Sequence, residues 1–408
     1  MNSKSTSTKI SWNTHALITR EALHSPWTSF LDEYTIVVPL EDFLAASQKE
    51  LPNIVSWYWD LLAQKANGYA VPTPDYKKAV TMAHFVKALR LKPNYQIPYI
   101  RILRRNELPT NVGHDQSRSG PPGGAHVPTS FGELISMREV LSTFSDEPDW
   151  EMDQGLFSNG NYGYGPCPFG PKTGDGSQAP FHMTFLAESR LVYTLFPRIK
   201  RTFMEERVRV FFALANLAFK VDIPYWGWRF TAWAMHYLQD LTQPYHARAL
   251  PIPLFPLLIR LIKERGIESF AERNKHLLIN RHYLVECIVH FMMNEAHKKD
   301  LAHPTTLALI ENGENCSVKL SELMMESGTL AASLARRLDR VMERLMMDPN
   351  IQDPGYIMPL DESYHIEQTL PAAAQARPQA FNELSRVVCT SLAQAGKVTR
   401  FSVRRVAT

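Results

Sequence analysis

The sequence predicts an all-α protein, and three observations lead to this class. Apolar residues recur at helical spacing along most of the chain, strand-like alternation is brief and scattered, and two stretches rich in Gly and Pro interrupt the helical pattern. The clearest helical face carries apolar side chains at intervals of four and three residues. Its members are Leu330, Leu334, Leu338, Val341 and Leu345.

The same periodicity predicts further helices in order along the chain. The best defined ends belong to the segment 225–243, because Pro224 stands where a first helical turn tolerates proline and Pro244 stops the pattern. The predicted helices lie near residues 14–23, 78–91, 131–142, 184–194, 204–219, 225–243, 279–297 and 379–394.

Two Gly- and Pro-rich stretches, residues 105–130 and 154–180, are predicted loops. Loops of this length are uncommon in compact domains and often serve as lids or binding loops. A disordered insertion is the alternative for the first. Tyr162, Tyr164 and Phe169 give the second an aromatic surface, and an Ω-type loop with tyrosines packed inward is its alternative.

Composition is that of an ordinary globular chain. Of 408 residues, 45% are hydrophobic and 21% charged, and the formal net charge is +3. Nucleic-acid-binding proteins usually have a stronger basic bias, so no specific nucleic acid is expected as a partner. The start of the chain has no apolar signal region, and no run of about 18 apolar residues could span a bilayer. We therefore expect no classical signal peptide and no transmembrane span.

A domain boundary is expected near residue 348, where Pro- and Ala-containing sequence begins. It divides the chain into residues 1–347 and a partly helical C-terminal extension, residues 348–408. The last twelve residues contain four basic side chains and no acid, and we interpret them as a solvated, frayed terminus, with contact to acidic lipid as the alternative. The four cysteines lie far apart without a C-x-x-C pair, which favours free thiols over a thiolate zinc site.

The most informative motif is an H-x3-D-x5-H pattern formed by His236, Asp240 and His246. Residues four apart on a helix have Cβ atoms about 5–6 Å apart, so one cation can contact both side chains. His282 and Glu286 repeat this spacing in a second predicted helix. Zinc prefers imidazole nitrogen and carboxylate oxygen, so the two pairs predict a metal site. The remaining histidines have no such partners, and His276 is kept as an alternative to His282.

In this order along the chain, five motifs resemble the zinc-dependent phospholipase C and single-strand-specific nuclease superfamily, most closely the bacterial phospholipases C that hydrolyse phosphatidylcholine. The resemblance covers roughly residues 12–290. It implies that residues 1–347 form an all-α metallohydrolase domain with two or three zinc ions in one cleft, where an activated water attacks a phosphodiester. The motifs are Trp12-Asn13-Thr14-His15, Pro148-Asp149-Trp150, His182, His236-x3-Asp240-x5-His246 and His282-x3-Glu286.

The resemblance also implies roles for individual residues. His182, His236 and Asp240 would hold one zinc, with Asp149 beside it as a further ligand or the general base. Asp146 and Asp153 are alternatives to Asp149. His15 would join Asp240 on a second zinc, so that Asp240 bridges the two. The third zinc would be held by His246, His282 and Glu286.

Trp12 is the further implied metal ligand, because secreted relatives begin at this tryptophan and use its amine and carbonyl. Here eleven residues precede Trp12. Three expectations therefore stay open: proteolytic trimming to Trp12, other ligands beside His15 and Asp240, or a weak or absent metal at this position.

Phospholipase C activity is the favoured function, giving diacylglycerol and a phosphorylated head group at a phospholipid membrane surface. Glu286 matches the phospholipases, the aromatic loop could dip into lipid, and the basic bias is slight. The alternatives are a single-strand-specific nuclease or nucleotidase, in which aromatic side chains stack bases, and a zinc-stabilised helical module without catalysis. Because no classical signal is predicted, we expect export by a non-classical route or delivery to another cell, and otherwise a cytoplasmic protein.

Overall fold

The computed structural model confirms the all-α class. Among the residues it describes, helices predominate and strands are limited to two short antiparallel pairs. The described residues are 14–65, 85, 89, 101–102, 127–128, 130–149, 152–153, 156–157, 164, 166–170, 177–249, 251, 259, 262, 267–299, 303–311, 318–346, 353, 355–356 and 366–407.

The helices are numbered here in chain order. They are α1 Thr14–Ala22, α2 Leu40–Ala46, α3 Leu51–Gln64, α4 Met137–Phe144, α5 Ala179–His182, α6 Arg190–Leu195, α7 Met204–Lys220, α8 Pro224–Asp240, α9 Pro244–Ala247, α10 Ile267–Lys299, α11 Pro304–Glu311, α12 Leu320–Met346, α13 Ile366–Ala376 and α14 Pro378–Ala407. Short 3₁₀ turns cover Pro26–Asp32, Glu147–Asp149 and Pro197–Lys200. The paired strands are β1 Tyr34–Ile36 with β4 Leu134–Ser136, and β2 Arg101–Ile102 with β3 Val127–Pro128.

Most predicted helices lie where the periodicity puts them, but two needed correction. In the segment 184–194 the helix begins only at Arg190, after the N-cap Ser189. The other is the segment 131–142. Its residues Leu134–Ser136 form strand β4, and the helix begins only at Met137. The Ser136 side chain accepts a hydrogen bond from the Glu139 N–H, so Ser136 is the N-cap that starts α4. Helix α3 was not predicted, and the prediction near 78–91 falls largely outside the described residues.

Helix α8 lies at the centre of the fold, packed between α4, α7 and α14. Every residue from Tyr225 to Asp240 is buried, as expected for a helix that is apolar on nearly all sides. Its one buried cation, Arg229, pairs with Glu147, and both side chains are fully buried. The Arg229 guanidinium also lies 4.0 Å from the Phe144 ring centre.

The C-terminal segment is a packed helix, so the expected frayed terminus was wrong. Helix α14 continues to Ala407, and Val398 and Phe401 belong to the same core as α8. The buried Arg400 donates to the carbonyl oxygens of Ala22 and Leu309, near the C-terminal ends of α1 and α11. Arginine thereby satisfies helix-end carbonyls that lack an intrahelical partner. The boundary near residue 348 stays a prediction.

Within the described part of the chain, no helix is both long and apolar enough to cross a membrane.

Gly396 permits the close crossing of α14 and α11. A Cβ atom there would overlap the backbone carbonyl oxygen of Leu309, which cannot rotate away. We expect Gly396→Ala to destabilise the protein by about 1–3 kcal/mol through overpacking, against a gain of about 1 kcal/mol in helix propensity. Gly328→Ala is the matched control, because its Cβ would meet the flexible Leu241 side chain at 3.2 Å and Leu186 at an ordinary contact distance of 3.6 Å. Urea unfolding that ranks the two variants equally would contradict this expectation.

Candidate metal centre

Six structural elements bring the sequence-predicted ligands into one cleft. Each predicted ligand in the described residues lies at or near a helix end or on the facing side of α10. They are His15 at the start of α1, Asp149 in the turn after α4, His182 ending α5, His236 and Asp240 in the last turns of α8, His246 in α9, and His282 and Glu286 on α10. Trp12 lies outside the described residues.

The first group that could hold a metal consists of Asp149, His182 and His236. His236 Nε2 lies 3.1 Å from His182 Nδ1 and 3.6 Å from Asp149 Oδ1. His182 Nδ1 lies 3.6 Å from the same carboxylate oxygen. Ligands bound tetrahedrally to zinc at about 2.0–2.1 Å stand about 3.3 Å apart, so this spacing suits a cation between them.

The second group consists of His15, His236 and Asp240. His15 Nε2 lies 3.6 Å from Asp240 Oδ1, and the His15 and His236 rings are 4.0 Å apart between centres. Burial lowers the pKa of His15, and the neighbouring His236 lowers it further. A neutral imidazole is the form that binds metal, so the surroundings favour His15 as a ligand.

The third group consists of His246, His282 and Glu286. His246 Nε2 lies 2.6 Å from His282 Nε2 and 3.4 Å from Glu286 Oε1, and the His282 to Glu286 distance is 2.8 Å. Burial opposes ionisation of Glu286, but His282 and His246 lower its pKa to about 2. His276, the alternative to His282, is not a member of this group.

Asp240 connects the three groups. Its Oδ2 lies 2.9 Å from His182 Nδ1 and 3.2 Å from His236 Nε2. Its Oδ1 lies 3.2 Å from His246 Nδ1. Burial by itself would raise the pKa of Asp240, but His236 and His246 hold it well below its usual range. The same carboxylate can therefore bind metal on one side and orient a ligating imidazole on the other.

The choice among three nearby aspartates follows from what each one contacts. Asp146 accepts a hydrogen bond from the Ala16 N–H at 3.1 Å and so holds the start of α1. Asp153 pairs with the buried Arg207 and accepts from the Tyr237 hydroxyl at 2.6 Å. Asp149 alone of the three belongs to one of the three donor groups.

Hydrogen bonds behind the imidazoles fix which ring nitrogen faces the cleft. His236 Nδ1 donates to the Ser145 carbonyl at 2.7 Å, which leaves Nε2 free to bind metal. His15 Nδ1 donates to Gln239 Oε1 at 2.8 Å. The Gln239 amide cannot easily turn over, because its nitrogen donates to the hydroxyls of Thr19 and Thr399 at 2.9 and 2.8 Å. Gln239 thus directs the lone pair of His15 Nε2 into the cleft.

The role of Gln239 in orienting His15 can be tested at Thr399, which lies on the C-terminal helix α14 and is not itself a candidate ligand. Its hydroxyl donates to the Ala395 carbonyl at 2.7 Å and so accepts from Gln239. We expect Thr399→Val to weaken binding of one zinc ion about tenfold, a typical loss for a residue that supports a ligand. Thr399→Ser, which keeps the hydroxyl, should bind zinc with nearly the affinity of the unmodified protein. Competition with a zinc chelator measures both, and equal affinities would contradict the role of Gln239.

Gln239 and Thr399 were missed from the sequence. A signal existed for Gln239, a polar residue that directly precedes Asp240 on a helix that is otherwise largely apolar. Thr399 gave none, because it is 160 positions away and only the packing of α14 on α8 brings the two together.

All members of the three groups except the fully buried His236 line a cavity of about 840 Å³. Many of its walls are apolar, contributed by α6, α10, α12 and α14. Phe169 of the aromatic loop lies on this wall, 5.2 Å from the Phe185 ring centre. A cavity of this size suits a small organic ligand or part of a lipid.

The position of Tyr164 contradicts the expectation that this side chain of the aromatic loop contacts lipid. It is 1% exposed, its ring packs 4.8 Å from Phe203, and its hydroxyl lies 3.2 Å from that of Tyr58. The inward-packed alternative therefore holds for Tyr164, whereas Tyr162 lies outside the described residues.

Comparisons with known proteins do not assign the chain to a family. No family model, no curated protein and no solved structure matches it.

Proposed function

We propose that this protein is a zinc-dependent phospholipase C that hydrolyses the glycerol-side phosphodiester of phosphatidylcholine-like lipids. The supporting observation is the convergence of three His and carboxylate groups on one cavity, with Asp240 in one group and in contact with histidines of the other two. The products would be diacylglycerol and the phosphorylated head group. The partner would be a phospholipid membrane surface, contacted peripherally.

Zinc is the metal that fits the donors best. The groups contain imidazole nitrogen and carboxylate oxygen without a cysteine, and in the group of Asp149, His182 and His236 the separations are close to a tetrahedral edge. His236 can ligate one metal ion only, because its Nδ1 donates to the Ser145 carbonyl. Two or three zinc ions would therefore be held, one by Asp149, His182 and His236, a second by His15 and Asp240, and a third by His246, His282 and Glu286. When bound, they neutralise phosphoryl charge and make water more acidic.

Asp149 is the proposed general base. Its side chain is 22% exposed, against 6% for Asp240, and it faces the cavity. A carboxylate that solvent can reach is able to accept a proton from an attacking water and release it. Asp240 is enclosed by histidines and instead holds the ligands in position.

The cavity walls favour a lipid over a nucleic acid. Residues of α10, α12 and α14 give apolar surface beside the metal groups, and the net charge of +3 is small. A single-strand nuclease would need a basic groove and aromatic platforms for several bases. The burial of Tyr164 removes one aromatic side chain from both lipid contact and base stacking. The proposal of a lipid substrate therefore rests on the apolar walls of the cavity and not on the aromatic loop.

Parallel assays test the proposal. Zinc-loaded protein is incubated with p-nitrophenyl phosphorylcholine, with a short-chain phosphatidylcholine and with single-stranded DNA. Release of phosphocholine from the first two, abolished by a chelator, is the expected result. Cleavage of DNA alone would favour the nuclease. A rise in thermal stability on adding zinc, without cleavage of any substrate, would indicate a zinc-stabilised helical module.

A further inference from the structure

One face of helix α10 carries both metal donors and apolar side chains. Leu278, His282, Val285, Glu286 and Val289 follow at intervals that return to the same side of a helix, and all five line the cavity. The candidate ligands therefore interrupt an apolar stripe. Leu278 precedes them and Val289 follows them.

Part of the cavity is enclosed by core residues. Leu338 of α12 and Val387, Val388 and Leu392 of α14 line it, although each is at most 3% exposed to bulk solvent. Among the described cavity-lining residues of α12, α14 and α10 after Glu286, Ser391 is the one polar side chain. We call this part the inner end.

Elsewhere the cavity has mixed polarity, because Phe185, Phe196 and Ile199 line it as well as polar groups. Lys275 and Asn274 of α10 line it together with Arg198, which is exposed. Lys275 and Val289 are about 21 Å apart along the helix axis at 1.5 Å per residue, with His282 and Glu286 between them. The inner end thus differs from the rest of the cavity in that its described lining contains a single polar side chain, Ser391.

We infer that the inner end binds one acyl chain of the lipid whose phosphodiester lies at the metal groups. This inference rests on the proposed function and adds the part of the substrate that the protein encloses. An acyl chain leaves no polar atom to satisfy, whereas a base or sugar placed among Leu338, Val387 and Leu392 would bury unpaired donors and acceptors. The enzyme would therefore withdraw a chain from the bilayer as it binds the phosphate.

Chain length provides the first test. Hydrolysis of p-nitrophenyl phosphorylcholine, which has no acyl chain, is compared with that of monomeric phosphatidylcholines with chains of four to eight carbons. We expect kcat/KM to rise about fourfold for each methylene that enters the inner end, the factor for burying one methylene. Rates that do not depend on chain length would overturn the inference while leaving the phospholipase proposal intact.

Filling the inner end provides the second test. Val388→Phe should reduce the gain in kcat/KM at a chain length of eight carbons by at least tenfold. Thr390→Phe is the matched control, because Thr390 lies on the same helix with its side chain exposed. Leu392→Ala enlarges the space and should extend the rise to longer chains, which keeps the test valid if Val388→Phe does not fold. Equal chain-length profiles for Val388→Phe and Thr390→Phe would overturn the inference.

A binding measurement separates the two proposals. If zinc-loaded protein cleaves neither the chromogenic substrate nor any lipid, the phospholipase proposal is wrong. Calorimetric titration with dihexanoylglycerol then decides the chain site by itself. Binding that Val388→Phe weakens about tenfold or more supports the site, and absence of binding to the unmodified protein contradicts it.

Discussion

Asp240→Asn is expected to abolish phosphodiester hydrolysis, with a loss of at least about 10³-fold, or ~4 kcal/mol of transition-state stabilisation. Asparagine keeps the volume but removes the charge that His182, His236 and His246 all face within 3.2 Å. Metal analysis should show at least one zinc ion fewer per chain, and a chelator should reproduce the loss in the unmodified protein.

His24→Ala is the control for this experiment, because His24 is exposed and outside the cleft. It should retain zinc and activity. If the Asp240→Asn protein binds the full complement of zinc and hydrolyses substrate at the original rate, the proposed metal centre is wrong.

Arg229→Leu is expected to cost about 3–5 kcal/mol of the free energy of unfolding. The change leaves the Glu147 carboxylate fully buried without the guanidinium charge, although the Trp233 indole N–H still donates to it. An ionised carboxylate without a counter-charge is costly in an apolar interior. Adding Glu147→Gln should recover part of the loss, because the buried charge is then gone.

The matched control is Arg209→Leu. Arg209 pairs with Glu205 on the surface of α7, where both side chains are more than a third exposed, so its removal should cost less than about 1 kcal/mol. Urea unfolding curves of the two variants supply the comparison. Comparable losses would show that burial does not govern the Arg229 pair.

Spacing within single helices was enough to predict two residue pairs of the candidate site. His236 with Asp240, and His282 with Glu286, lie four apart within single helices, so their proximity follows from helix geometry alone. The distance of 2.6 Å between His246 and His282 does not follow in this way. It depends on how α10 packs in the fold, and the periodicity of the side chains does not predict that packing.

Burial of polar side chains was the least predictable property. Arg400 stands among basic residues near the end of the chain, a composition typical of a solvated tail. It is nevertheless 4% exposed, because carbonyls at the ends of two other helices accept its hydrogen bonds. Tyr164 is similar, since only the packing of Phe181 and Phe203 reveals that it faces inward.

The sequence by itself determined the helical class and the two His and carboxylate pairs, because both follow from contacts within one or two helical turns. The tertiary structure alone decided that Asp149 belongs to a donor group while Asp146 and Asp153 do not, and that Thr399 supports Gln239. It also decided that an apolar space adjoins the metal groups. The physical reason is the same in each case: these properties arise between segments far apart in the chain, where only packing determines which groups meet.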